Sequence, residues 1–532
     1  MKTVFKILAL AVLAIAPGGA NAAWKEASTN NFLVYSEGSE AQLKEFATKL
    51  EKFNFVLRTY HKVTAPPAAI KLKVYLLPSV AAVGKAAGNS AVAGYYVSDA
   101  RGLMMVGTNS TQVWRSGDPR SAQGMVDIDP ESILLHEYTH HFMYQYFPAT
   151  YPTWYSEGFA EFWGATRFLA DNVVEVGLPA DYRFGSFFDN RWLPLKKLLT
   201  AQSYADVPEL DLLYAQGWLL VRYAYDHSDK QKQLQAYLKA INGGASYADA
   251  TKLAFGDPDA LNSQLFDYAK RSKFSVVRLP FKPIDPGQLA VRAVSPAEDA
   301  LMMLAIKLGQ GYLQTDAAEV AGKVRSIASR FPDDPYALNL LAEAERLAGN
   351  RDAANAALDK LLKIAPDHAT GLMQKGKLAV DALRAAQSKD AKAWAAARAY
   401  LIRANKLAPK DPLVLEAYYD SFRLQGVLPP ESAQNALYHA MELAPSDDDL
   451  RYKVAADFEQ RSMIEEAMAV IRPVAFTLPH RKTETDKDRK KREDRENKYR
   501  GAGEEKHETA REMYERLEKK LAERKGAAKP AA

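Results

Sequence analysis

The sequence predicts an α+β N-terminal domain, in which a small mixed sheet precedes a helical region, followed by an all-α repeat region. Three observations predict it. Short strand-like and helix-like patterns alternate between residue 23 and about residue 110. Helical patterns dominate from Pro130 to about Tyr268. From 297 to 476 the chain is rich in Ala and Leu, with prolines at the ends of paired helical segments.

Residues 1–22 read as a signal peptide. Lys2 and Lys6 precede an uncharged apolar run, Ile7–Ala16. Pro17-Gly18-Gly19 then breaks a helix, and Ala20-Asn21-Ala22 offers the small residues a signal peptidase requires. The run falls well short of the ~20 residues that span a bilayer, and no later segment is apolar enough to do so. The mature chain is expected outside the cytoplasm, periplasmic or secreted, without a transmembrane segment.

The first domain is placed at 23–279. Asn31–Tyr35 is a short strand candidate. Glu40–Tyr60 carries Leu43, Phe46, Leu50, Phe53 and Leu57 at spacings of three and four, which predicts one apolar helix face. Ile70–Leu76 alternates and predicts a half-buried strand, and Gly102–Val106 predicts another. Pro280, Pro283, Pro286 and Pro296 predict an extended linker over 280–296.

The repeat region is placed at 297–476. Counting from Pro335, the residues Ala342, Gly349, Ala354, Leu358, Leu361 and Pro366 fall at positions 8, 15, 20, 24, 27 and 32. That spacing resembles the tetratricopeptide repeat, a helix–turn–helix unit of about 34 residues. Small residues at 8 and 20 let two helices approach, and the proline ends the second. Ala397, Leu401, Ala404 and Pro409 repeat the second half, as do Ala433, Leu437, Ala440 and Pro445. Glu345 stands where such repeats often have an aromatic residue. A plain helical bundle is the alternative. Residues 477–532 form a charged tail, flexible or partly helical, because so few large apolar residues cannot offset the entropy of ordering it.

Composition excludes some chemistry. The chain has no cysteine, so disulfides, thiolate nucleophiles and sulfur metal ligands are ruled out. The hydrophobic fraction of 48% allows a sizeable core. The net charge of +5 is concentrated at the ends, with 17 Lys/Arg against 13 Asp/Glu between Arg481 and Lys525. The body is nearly neutral, and no nucleic-acid partner is expected.

The chemistry concentrates in His136-Glu137-Tyr138-Thr139-His140-His141. This fits H-E-x-x-H, in which residues i and i+4 of a helix turn two imidazoles toward one ion. Two neutral nitrogens suit Zn²⁺, which takes about four ligands. Glu137 lies beside that face, placed to accept a proton from water activated by the ion. Trp154-Tyr155-Ser156-Glu157-Gly158-Phe159-Ala160-Glu161-Phe162 follows, with two carboxylates one turn apart in an apolar helix. Buried carboxylates are costly unless paired. Glu157 is assigned to the metal. Glu161 is assigned to the free ring nitrogen of a ligand histidine, and the exchange of these two roles stays open. Pro148 and Pro152 turn the chain back between the two helices. His141 faces another side of the helix and is left out of the ligand set. His227, at a helix end, is given a structural role.

These residues resemble the gluzincin zinc metallopeptidases, the clan of thermolysin and the M1 aminopeptidases. More narrowly they resemble exported bacterial peptidase-MA-like proteins with an E-G-[FL]-A segment and a helical repeat tail. The resemblance rests on His136–His140 and Trp154–Ala160 and spans roughly residues 25 to 275. It implies His136, His140 and Glu157 as zinc ligands and Glu137 as catalytic base. Ser156 departs from the Asn usual in M1 enzymes. The Gly-x-Met-Glu-Asn strand of M1 exopeptidases is absent, which argues against aminopeptidase activity. The resemblance also implies a substrate-binding edge strand, for which Gly102–Gly107 is the candidate. A Tyr-containing helix start, Leu212–Trp218, offers Tyr214 as oxyanion donor, with Tyr144, Tyr155 and Tyr223 as competitors.

The expected function is an exported zinc-dependent endopeptidase acting on a peptide or protein substrate. Zinc hydrolysis of another carbonyl bond, as in a cell-wall peptide, stays open. The alternative from another class is a non-catalytic envelope scaffold whose repeats hold a protein partner, with a structural or residual zinc site.

Overall fold

The computed structural model describes residues 23–476 and 508–527, except 91, 109, 111–113, 117–125, 179–190, 202–203, 271–273, 275, 283–288 and 311–315. Residues 1–22, where the sequence predicts a signal peptide, and most of the charged tail lie outside the described residues.

Strands β1 (Lys25–Ser28) and β2 (Phe32–Ser36) pair antiparallel. Helix α1 (Glu40–Tyr60) starts at Ser39, whose side chain and that of Gln42 form a reciprocal cap. The apolar face read from the sequence, Leu43 to Leu57, is buried. Next come β3 (Leu72–Leu77), α2 (Val80–Ala87), β4 (Tyr95–Val97) and β5 (Met104–Thr108). A separate ribbon pairs β6 (Trp114–Ser116) with β7 (Val126–Ile128).

Helix α3 (Pro130–Tyr146) is capped by Asp129, and α4 (Thr153–Gly164) follows a short turn. Strands β8 (Arg167–Phe168) and β9 (Val173–Val176) interrupt the helices. Then come α5 (Leu195–Thr200), α6 (Leu210–Asp226), α7 (Ser228–Asn242), α8 (Tyr247–Phe255) and α9 (Pro258–Ala269). Strand β10 (Val277–Pro280) joins β9 and β8 in a small sheet that the sequence reading did not anticipate.

The main sheet has the order β11-β1-β2-β3-β5-β4, where β11 is Ala290–Ala293. Successive side chains point to opposite faces of a strand. Phe32, Val34, Leu72, Val74 and Met105 therefore meet α1 and α3 on one side. Tyr75, Leu77, Met104 and Val106 meet α2 and α10 (Pro296–Gly309) on the other.

Two sequence expectations change here. The 280–296 segment is not merely a linker, because β11 within it pairs with β1 and completes the sheet. Gly102–Gly107 is not an edge. β5 is paired on both sides, with β3 and with β4, so its backbone groups are satisfied within the sheet. The terminal strand on that side is β4, too short and too close to glycine for its pattern to stand out.

The repeat region is a run of helices: α11 (Ala317–Ala328), α12 (Pro335–Leu347), α13 (Arg351–Ile364), α14 (Ala369–Ala385), α15 (Ala391–Leu407), α16 (Pro412–Gln425), α17 (Glu431–Leu443), α18 (Asp448–Gln460) and α19 (Ile464–Phe476). Ala342 and Ala354, the small residues of the first unit, are buried between α12 and α13. Gly349 turns between them at φ +79°, where a side chain would be strained. Pro366, Pro409 and Pro445 each lie two residues beyond the helix they end. In the tail, α20 (Ala510–Ala527) buries Met513, Tyr514 and Leu517 against α19.

The helical run does not hang free of the first domain. Asp299 accepts the Trp24 backbone N–H at 2.8 Å, and Gly102 meets the Gly309 backbone so closely that a Cβ would lie 1.9 Å from its oxygen. Further along, Asp447 accepts the Ala100 N–H at 2.8 Å, and Ile70 and Ala100 pack into the α16–α18 core. Tyr247 donates to the Phe476 carbonyl at 3.1 Å. Among the described residues no helix is long and apolar enough to cross a membrane.

Candidate metal centre

Helices α3 and α4 place the site, and glycines set their spacing. A Cβ on Gly164 would lie 2.9 Å from that of His136, so α4 seats closely on α3. A Cβ on Gly158 would lie 2.3 Å from the Gly217 carbonyl carbon, so α4 also seats on the backbone of α6. The glycine beside Glu157 is therefore a packing requirement.

His136, His140 and Glu157 converge, all buried. The two Nε2 atoms are 3.1 Å apart, and Glu157 Oε2 lies 3.2 Å from His136 Nε2 and 3.5 Å from His140 Nε2. Zn²⁺ bonds of about 2.0–2.2 Å in a tetrahedron put neighbouring ligand atoms roughly 3.3–3.6 Å apart. The three atoms thus form one face of such a tetrahedron, and the donor set fits a divalent cation. Buried carboxylates among apolar helices also call for positive charge.

The far side of each ring faces a polar group, an arrangement that fixes the tautomer of a ligand histidine. Glu161 Oε1 lies 3.5 Å from His136 Nδ1. Ser156 Oγ lies 3.3 Å from His140 Nδ1 and 2.9 Å from the Tyr144 hydroxyl. Of the two carboxylates, Glu157 reaches the Nε2 pair and Glu161 stands behind it. Ser156 links His140 to Tyr144.

Glu137 is buried on α3, and a Cβ on Gly94, the residue before β4, would come within 3.5 Å of its Cγ. β4 therefore passes over the helix beside Glu137. Tyr214 is also brought to the site, its ring 6.3 Å from that of His136. Tyr155 and Tyr223 pack in the core among aromatic neighbours. His141 turns away, with Nδ1 3.0 Å from the Tyr96 hydroxyl, and burial lowers its pKa to about 3. His227 Nδ1 donates to the Tyr223 carbonyl at 2.9 Å.

Tyr204 was not singled out in the sequence. Its hydroxyl donates to Glu157 Oε1 at 2.5 Å. Burial, and then the Glu157 charge, hold the phenol well above its ordinary pKa, so it keeps its proton. No spacing rule reaches it, because it stands in the connection between α5 and α6, and one tyrosine among 27 carries no signal.

No protein-family model matches the chain, and no curated protein matches it. Solved structures do. TTC0263, a thermophilic TPR protein in Thermus thermophilus, aligns at 19% identity over 37% of this chain and 96% of its own, with a TM-score of 0.30. MamA from Desulfovibrio magneticus RS-1 aligns at 17% identity over 32% of this chain and 91% of its own, with a TM-score of 0.24. Scores this low leave the repeat assignment resting on the helix pairs themselves. The chain combines an N-terminal mixed sheet, a buried His-His-Glu group able to hold a metal ion, and a run of paired helices.

Proposed function

We propose that this protein is an exported zinc-dependent endopeptidase. The observation that carries the proposal is the triangle of two Nε2 atoms and one carboxylate oxygen, 3.1–3.5 Å on a side, with Glu137 beside it. His136, His140 and Glu157 would hold the ion. A bound zinc supplies Lewis acidity and lowers the pKa of a nearby water. Glu137 accepts the proton of the attacking water and returns it to the departing amine. Tyr214 donates to the developing oxyanion. β4 passes over Glu137 and ends the main sheet among the described residues, and its outer edge offers backbone groups to an extended peptide.

Metal analysis of the purified mature protein tests the site, with one zinc expected per chain and a large loss in His140→Ala. Glu137→Gln should keep the metal and lose hydrolysis of denatured protein substrates by at least ~100-fold, the scale of a general base. Equal turnover in the Gln variant would defeat the mechanism.

A non-catalytic envelope scaffold with a structural metal is the alternative. The helix pairs favour it, since such arrays commonly serve as binding surfaces. A stoichiometric partner retained with the metal, and no hydrolysis of any peptide offered, would select it.

A further inference from the structure

Glu157 has two oxygens in different surroundings. Oε2 faces the Nε2 atoms of His136 and His140, at 3.2 and 3.5 Å. Oε1 accepts the Tyr204 hydroxyl at 2.5 Å. A carboxylate with both oxygens free can bind a metal through either or both. One whose second oxygen is held by a strong donor is directed to bind through the first. A phenol bonded to an ionised carboxylate is a charge-assisted pair, short and about twice as strong as a neutral one. The reach of Tyr204 is fixed from outside the helix pair, because it lies beyond α4 in the chain, between α5 and α6. It therefore grips Glu157 from an element other than α3 and α4.

We propose that Tyr204 is a positioning residue that holds Glu157 Oε1 and so restricts Glu157 to one-oxygen metal ligation, leaving the fourth coordination position for water. This rests on the metal-site proposal above. A catalytic zinc needs three protein ligands and an open position, whereas a bidentate carboxylate crowds that position. Tyr204 contributes by controlling the carboxylate, and Tyr214 remains the group nearer the reacting atoms.

The test uses the full mature chain loaded with zinc or cobalt and reads metal binding rather than turnover. In Tyr204→Phe, competition with a chromophoric chelator is expected to show zinc affinity about 10–100-fold weaker, the scale for loss of a partner to a metal ligand. The visible spectrum of the cobalt form should change from the intense bands of four-coordination to the weaker bands of higher coordination. Tyr419→Phe is the control. It removes another buried hydroxyl bond, 3.1 Å to Asp457 among the repeat helices, and should lower stability while leaving affinity and spectrum unchanged. Unchanged affinity and spectrum in Tyr204→Phe would overturn the proposal. X-ray absorption on the zinc-loaded wild type stands apart from any variant's folding. One carboxylate oxygen in bonding range supports the proposal, and two overturn it. A wild type that takes up no metal at all removes the metal-site proposal, and this one with it.

Discussion

Gly158→Ala is the most exacting perturbation of the site, because it adds one methyl and touches no ligand. The added Cβ would stand 2.3 Å from the Gly217 carbonyl carbon, 2.4 Å from its oxygen and 2.8 Å from the Trp218 nitrogen. Carbon atoms rest about 3.5–4.0 Å apart, so the contact is short by roughly 1.2–1.7 Å. All three obstacles are backbone, so no side chain can swing aside. Helix α4 must move away from α6, and overpacking of this kind costs about 1–3 kcal/mol. Glu157 is the preceding residue and moves with α4, whereas metal–ligand distances tolerate only about 0.2 Å. Zinc affinity is expected to fall at least tenfold, about 1.4 kcal/mol in binding. Urea unfolding reads the stability loss, and chelator competition on the folded protein reads the affinity. A Gly158→Ala protein with wild-type midpoint and affinity would show that α4 and α6 do not fix the carboxylate.

Further expectations concern the repeats. Burial, followed by the Asp99 and Asp449 carboxylates, raises the pKa of Asp447 to about 7, against the backbone N–H groups of Ala100 and Leu450 that its carboxylate accepts. An unfolded Asp titrates near 3.9, so between about pH 4 and pH 7 the folded chain holds more protons. The contribution of this group to stability is full below about pH 4 and is lost as pH rises to about 7. Asp447→Asn stays neutral, so its unfolding midpoint relative to wild type should rise between about pH 4 and pH 7; parallel pH profiles would refute this. Gly322→Ala lies within α11, where a Cβ meets nothing within 4 Å. It should stabilise the chain by about 0.5–1 kcal/mol, and any loss in a denaturant titration would count against the helix there.

Legibility followed the range of the signal. The α1 face and the prolines behind α13, α15 and α17 were readable, because helix periodicity and helix ends are local. The His-His-Glu group was readable because spacing within α3 and a buried carboxylate on α4 each had a physical reason. Contacts distant in sequence were not. Tyr204 reaches Glu157 across 47 positions, and β11 reaches β1 across some 265, without a local pattern to announce either. Glu345 looked like a defect in its repeat. It is buried, and its carboxylate binds Arg325 at 2.7 Å and Asn350 at 2.7 Å. A charged pair and a side-chain amide stand where an aromatic ring was expected.

The pairing of β1 with β11 has a bearing on how the chain assembles. The first strand to emerge cannot acquire its outer neighbour until residues 290–293 have been made, and the Trp24 N–H waits longer still for Asp299. Ends this far apart in sequence close slowly, and a strand left waiting exposes a row of unpaired backbone groups to other chains. A fragment cut at residue 279 would carry that raw margin permanently. The helices beyond it are thus partners in finishing the domain that precedes them, and the two halves should be made, stored and assayed as one piece.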